Sequence, residues 1–376
     1  MPDNATDICP LPKRWSPTRA ECGADNGAGL CAPICGHKRV GKRNVMVTTK
    51  NIFEQAIIID GLDTSKWGRK SVYRSLRDGG VTAINATIAV WDDYQTVLHK
   101  ITHYLEWFDQ FSDLIRPVHT VDDIRAAKAE NRTGIILGWQ NAAPIGNDLR
   151  RLRLFHELGV RIIQLTYNER NLLGNGCYER LDDGLSRFGL AAVAEMNRLG
   201  ILIDLSHVGD RTTLDAIENS NTPVAITHAN ARSHIDHPRN KTDEAIKLLV
   251  ERGGVIGANA FPMFFERGFE TGLGEYIDAI DYLVQMTGID HVAIGTDFCM
   301  EQPRSWFEWL FASQGKVPAK TVDFTPEPYR HLKHFESPGD WVNVAEELSV
   351  RNYSESDIRK ILGENWLRLF ERVWTP

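Results

Sequence analysis

The chain has 376 residues, of which 42% are hydrophobic and 25% charged, with a formal net charge of −7. That is the composition of a soluble globular protein with room for a large core. It has no concentrated basic run to engage nucleic acid and no apolar run long enough to cross a bilayer. Four of the six cysteines, Cys9, Cys22, Cys31 and Cys35, crowd the front, and Cys177 and Cys299 stand apart. Residues 1–45 are rich in Pro, Asn, Gly and Lys/Arg without hydrophobic periodicity, and their cysteine spacing matches no standard zinc finger. They read as a disordered extension ahead of one folded domain, 46–376. No apolar leader core follows Met1 and no lipid-anchor signal follows the last helix, so a cytoplasmic location is expected.

From residue 46 apolar runs alternate with amphipathic segments. AIIIDG (56–61) closes on a turn, and KSVYRSLRDGG follows as a helix stopped by its glycine pair. VTAINATIAV (81–90) leads to a long amphipathic stretch over Tyr94–Leu114 and to the helix TVDDIRAAKAE, with Thr120 as N-cap. TGIILGWQ (133–140), RIIQLTY (161–167), ILIDLSH (201–207), PVAITH (223–228), GVIGANAF (254–261) and HVAIGTDF (291–298) continue the rhythm. Runs this apolar on both faces belong to a parallel sheet covered by helices. Eight of them predict a closed (β/α)8 TIM-like barrel. Residues 300–338 read as an irregular loop near the mouth, and two helices close the chain, the second capped by Ser354.

In such a barrel, chemistry gathers where strands end. The candidate ends are Asp60-Gly61-Leu62-Asp63-Thr64, Gln140, Tyr167-Asn168, His207, His228, Asn259 and Asp297. His207 and His228 close neighbouring strands one βα unit apart, and two imidazoles beside a carboxylate suit a metal hydrolase in which Asp297 handles the proton of water. Trp306, Phe307 and Trp309 could line a substrate pocket or simply pack a loop. His331 and His334 read as solvated loop histidines, and His99 and His103 share a helix face away from any strand end.

DLSH at 204–207, ITH at 226–228 followed by Ala229–Arg232, HPRN at 237–240, IGTDF at 294–298 and GENWLRL at 363–369 occur in that order. On these motifs the chain resembles the membrane (renal) dipeptidase family of metallopeptidases, peptidase M19, within the amidohydrolase-like barrels. The resemblance implies a two-zinc site bridged by a glutamate, and cleavage of dipeptides, some with a D-residue at the carboxyl side. It makes His207 and His228 ligands of one zinc, Arg239 the receiver of the substrate carboxylate and Asp297 the catalytic aspartate. It also implies a homodimer. The family's first-strand His-x-Asp falls on Leu62 and Thr64, its bridging glutamate on Gln140 and its strand-four histidine on Tyr167. Asp63 lies between the first two and faces the wrong way on a regular strand, so its use as a ligand requires a bulge. DGLD, GWQNA and NLLGNGCYE mark a subgroup with this altered half-site.

The expected function is therefore hydrolysis of a dipeptide or small N-acyl amino acid. One zinc ion sits on His207 and His228, with Gln140 as a further candidate ligand and a second ion only if Asp63 rebuilds the other half. Asp297 is base then acid, Tyr167 steadies the oxyanion, and Arg239 and Asn259 bind substrate. Two alternatives stand beside it: another C–N hydrolysis or a metal-free lyase or isomerase step on the same barrel, and a non-catalytic binder of a small carboxylated ligand.

Overall fold

The structure is a computed structural model and describes residues 51–318 and 329–374. The extension read over 1–45, with its four cysteines, lies outside the described residues.

Nine parallel strands form one sheet: β1 (Ile59–Asp63), β2 (Ala83–Ala89), β3 (Ile115–Pro117), β4 (Thr133–Trp139), β5 (Val160–Gln164), β6 (Leu202–Asp204), β7 (Ala225–Ile226), β8 (Val255–Asn259) and β9 (Val292–Gly295). Eight follow the order β1-β2-β4-β5-β6-β7-β8-β9, and β3 pairs only with β4, outside the ring. The ring closes where Asp297 N donates to Leu62 O (3.0 Å) and Thr64 N to Phe298 O (2.7 Å). Each of the eight predicted runs supplies one barrel strand.

The barrel floor shows why these sequences close. Ile59, Ala83, Ile136, Ile162, Leu202, Ala225, Val255 and Ala293, one from each barrel strand, share a cluster with Trp366 and Phe370 of the helix Asn365–Val373. Side chains alternate along a strand, so two residues further on the same face carries Gly61, Gly257 and Gly295. A Cβ at Gly61 would stand 2.7 Å from the Trp366 ring, and one at Gly295 would stand 1.9 Å from Thr227 O. Trp366 Nε1 donates to Ile294 O (2.9 Å), which satisfies its polar atom inside the apolar floor. Another two residues along, the face turns polar at Asn259 and Asp297. The GENWLRL motif thus plugs the floor, far below the strand ends.

Three local readings are corrected. The first strand runs on through Gly61 to Asp63, because the glycine there serves close packing and not a turn. The stretch after Leu114 contains the short strand β3, whose three residues are too few for a periodicity signal. The loop 300–338 holds a helix, Arg304–Phe311, with Phe307 and Leu310 buried. Caps fall where they were read: Thr120 forms a capping box with Asp123, and Ser354 accepts from Asp357 N. No helix among the described residues is long and apolar enough to cross a membrane.

Candidate active site

At the carboxyl ends of β6 and β7 the two histidines meet. His207 has a left-handed backbone (φ 56°), and its Nε2 stands 3.1 Å from His228 Nε2. The outer nitrogens fix both tautomers. His207 Nδ1 donates to Asn168 Oδ1 (2.7 Å). Thr227 gives its hydroxyl proton to Asp204 Oδ2 (2.7 Å), so its oxygen accepts from His228 Nδ1 (2.7 Å). Both Nε2 atoms are therefore bare, and two lone pairs face one another across 3.1 Å. Two nitrogens on one tetrahedral zinc stand roughly 3.4 Å apart. Burial first, then Arg239, holds both imidazoles well below their usual pKa, in the neutral form that binds metal.

The remaining predicted residues gather around this pair unevenly. The Tyr167 ring stacks on His207, centroids 4.2 Å apart, and burial pushes its hydroxyl well above the usual range, so it stays a donor. Asp297 has φ 57° and lies at the end of β9, where burial raises it to about 6 against the lowering pull of Arg239 and Asn259. Arg239 is 1% exposed and donates through Nη2 to His228 O (2.7 Å), while its Nε and Nη1 are buried with no partner among the described residues. Asn259 donates to His228 O (3.2 Å) and to Asp297 Oδ2 (3.3 Å), so its amide is engaged in holding Asp297 beside the pair.

Asp63 and Gln140 sit differently. The β1–β2 register shifts between Asp60 and Asp63, so the strand is irregular there. Its Oδ1 accepts from Ser65 N (2.7 Å), its Oδ2 is buried without a partner, and burial with the Asp297 charge raises it to about 7. Gln140 Nε2 donates to Thr87 Oγ1 (3.1 Å), and its side chain makes no hydrogen bond to either histidine. Nor do three or more His, Cys, Asp or Glu side chains among the described residues assemble into a metal cluster. The two imidazole nitrogens are the metal-binding donors that these residues bring within reach of one another.

Sequence reasoning missed the supports. Asn168 and Asp204 orient the two rings, and both lie inside stretches already singled out, with no local signal for their task. His331 is buried, accepting from Cys299 N (3.3 Å) and packing on Phe298, which corrects its reading as solvated. Cys177 makes a long contact with Asn168 Oδ1 (3.7 Å), and burial raises its pKa, which suits no nucleophile.

A parallel eight-stranded barrel with imidazoles and a carboxylate at its carboxyl edge is an amidohydrolase-like barrel. Residues 48–308 match the family described as membrane dipeptidase (peptidase family M19), a family of metallopeptidases, and the chain belongs to it. It is 27% identical over 266 residues to dipeptidase tcpJ of Claviceps purpurea, covering 70% of this chain and 56% of the relative. It is 30% identical over 223 residues to an uncharacterized dipeptidase of Schizosaccharomyces pombe, covering 56% and 54%. The chain thus spans about half the length of these curated relatives. Among solved structures, an amidohydrolase from Pseudomonas aeruginosa superposes with a TM-score of 0.83 at 38% identity, covering 87% of this chain and 99% of that one.

Proposed function

We propose that this protein is a dipeptidase with a mononuclear zinc site, acting on dipeptides or small N-acyl amino acids in the cytoplasm. The observation that carries the reading is the pair of bare, opposed Nε2 atoms of His207 and His228. Two lone pairs at that distance repel unless a cation lies between them. When bound, zinc supplies a Lewis acid that polarises an amide carbonyl and lowers the pKa of water.

The chain's own residues do the rest. Arg239 receives the substrate carboxylate on its two unmatched donors, a job suited to a planar guanidinium fork. Asp297, poised near neutrality, takes the proton of the attacking water and returns it to the leaving amine. Tyr167 donates its hydroxyl to the oxyanion, and Asn259 keeps Asp297 aimed. Asn168 and Thr227 hold the imidazoles in the tautomer that leaves Nε2 free, as the outer-nitrogen partners of metal-binding histidines do.

The test is elemental analysis of the purified protein with His207→Ala beside it. About one zinc per chain, lost with dipeptide hydrolysis in the variant, is the expected result. A protein that takes up no metal on reconstitution would overturn the reading, and two ions per chain would replace it with a binuclear one.

A further inference from the structure

A cavity of about 190 Å³ opens beside the carboxyl ends of β1 and β2. Five of its lining residues are aromatic: Trp67, Tyr104, Trp107, Trp306 and Trp309. They come from the loop after β1, the helix Tyr94–Gln110 and the helix Arg304–Phe311. A second cavity, about 470 Å³ and lined by Arg77, Lys128 and Arg132, lies at the amino-terminal ends of β2 and β4, away from every candidate site residue, so size alone does not point to the chemistry.

The aromatic cavity adjoins the active site through the side chains packed between them. Its wall includes Thr64, the residue after Asp63, and Thr87, whose Oγ1 accepts from Gln140. Trp306 and Trp309 pack in one cluster with Val90, Leu310 and Tyr167, the ring stacked on His207. In the ring of eight strands β2 stands four places from β7, directly across the mouth, and Arg239 follows β7. A substrate whose carboxylate lies on Arg239 therefore points its other end toward this cavity.

Volume and charge narrow what that end is. Whole-ligand pockets run from roughly 300 Å³ upward, so this one takes a single side chain or acyl group. Lys66 and Lys100 also line it; Lys100 Nζ pairs with Asp92 (2.8 Å) and lies 5.9 Å from the Trp309 ring centroid. Flat aromatic walls suit a ring, and the lining holds two lysines and no carboxylate, so a cationic side chain finds no counter-charge in it.

We propose that this cavity is the specificity pocket for the amino side of the substrate, and that it selects an uncharged aromatic group there. The inference rests on the dipeptidase reading for its orientation but not for its binding chemistry. Its test therefore has two arms. In the first, the binding of Phe-Ala, Ala-Ala and Lys-Ala to the Asp297→Asn protein is compared by calorimetry. Phe-Ala is expected to bind about tenfold or more tighter than Ala-Ala, as burial of a phenyl group predicts, with Lys-Ala weakest. Trp309→Ala, added to Asp297→Asn, should erase most of the Phe-Ala advantage, and Lys100→Gln, which keeps the helix and the rings, should narrow the gap between Phe-Ala and Lys-Ala.

The second arm uses indole alone, followed by competition with Phe-Ala in the wild-type protein. Indole bound by wild type, weakened by Trp309→Ala, in a protein that binds no dipeptide would keep the pocket and sink the dipeptidase reading. Dipeptides bound or cleaved without regard to the amino-side ring, and no indole binding, would overturn the pocket and leave that reading standing.

Discussion

At the corner between β6 and β7, Asp204 accepts from Ser206 N (3.0 Å), Thr227 N (2.9 Å) and Thr227 Oγ1 (2.7 Å). At the corner where β9 meets β1, Asp60 accepts from Leu62 N (3.2 Å), Thr296 N (2.8 Å) and Thr296 Oγ1 (2.5 Å). These three bonds have the same pattern at both corners, and Asp204 accepts one more from Ser206 Oγ (2.8 Å). Three residues after each carboxylate stands a site residue, His207 or Asp63, and one residue after each threonine stands another, His228 or Asp297. One corner thus presents two imidazoles and the other two carboxylates. Burial drives them in opposite directions, the imidazoles down and the carboxylates up, because in each case it favours the neutral form. The lesson is that the clamp is a shared piece of scaffold, and the chemistry at each corner is set by the residues it holds out.

The comparison is broken most sharply at its reactive ends. Asp297→Asn should lower kcat by about 10²–10⁴-fold, the usual worth of a positioned acid–base group, while substrate binding and the metal at the imidazole corner persist. Parallel loss of metal would show that the corners are not separate. In the active protein, kcat/KM should rise with pH through an acidic limb as Asp297 loses its proton, at or below the value of about 6 that burial sets in the absence of an ion.

Next come the clamps. Asp204→Ala and Asp60→Ala each strand buried donors, at a cost of about 1–3 kcal/mol per unsatisfied group in unfolding experiments. Their metal readouts should diverge. Asp204→Ala frees Thr227 and with it the His228 tautomer, so zinc affinity should drop by about 10–100-fold; Asp60→Ala should leave it near wild type. Equal losses would mean that the carboxylate corner also holds the ion.

The smallest effect sharpens the comparison through pH. In the metal-free protein, Asp63 and Asp297 bind protons when folded that the unfolded chain has released, between about pH 4 and the raised values near 7 and 6. Their contribution to stability is full below that window and is lost as pH rises through it. His207 and His228 stay neutral when folded, so below about pH 6.5 the unfolded chain binds more protons and their corner loses stability as pH falls. Melting temperatures across pH 4–7 should therefore slope more steeply upward in Asp63→Asn and less so in His228→Asn. Slopes unchanged in both variants would mean that neither corner is as dry as its burial implies.

Much of this was legible in the sequence, for physical reasons that differ by element. The barrel strands are apolar on both faces, so each left a continuous run, and the histidines and Asp297 stood out at run ends. β3 and the two-residue β7 are too short to announce themselves, although the PVAITH run marked the place of β7. The register slip before Asp63 is one that no local pattern encodes, and the helix Arg304–Phe311 is held by aromatic partners distant in sequence. Asn168 and Asp204 could be read only once the strands had brought their partners within reach.

Trp366 carries a consequence for the order of events in the cell. The ring of eight strands closes around an indole encoded near the carboxyl end of the chain, beyond all eight strands. During synthesis every strand leaves the ribosome before the residue that fills the axis, so the floor cannot be completed until the helix beyond the eighth strand is made. Until then an apolar ring drawn from eight separate segments lacks its stopper, the kind of half-built surface that recruits chaperones. The last helix is in that sense a latch on folding, set at the far end of the barrel from the chemistry.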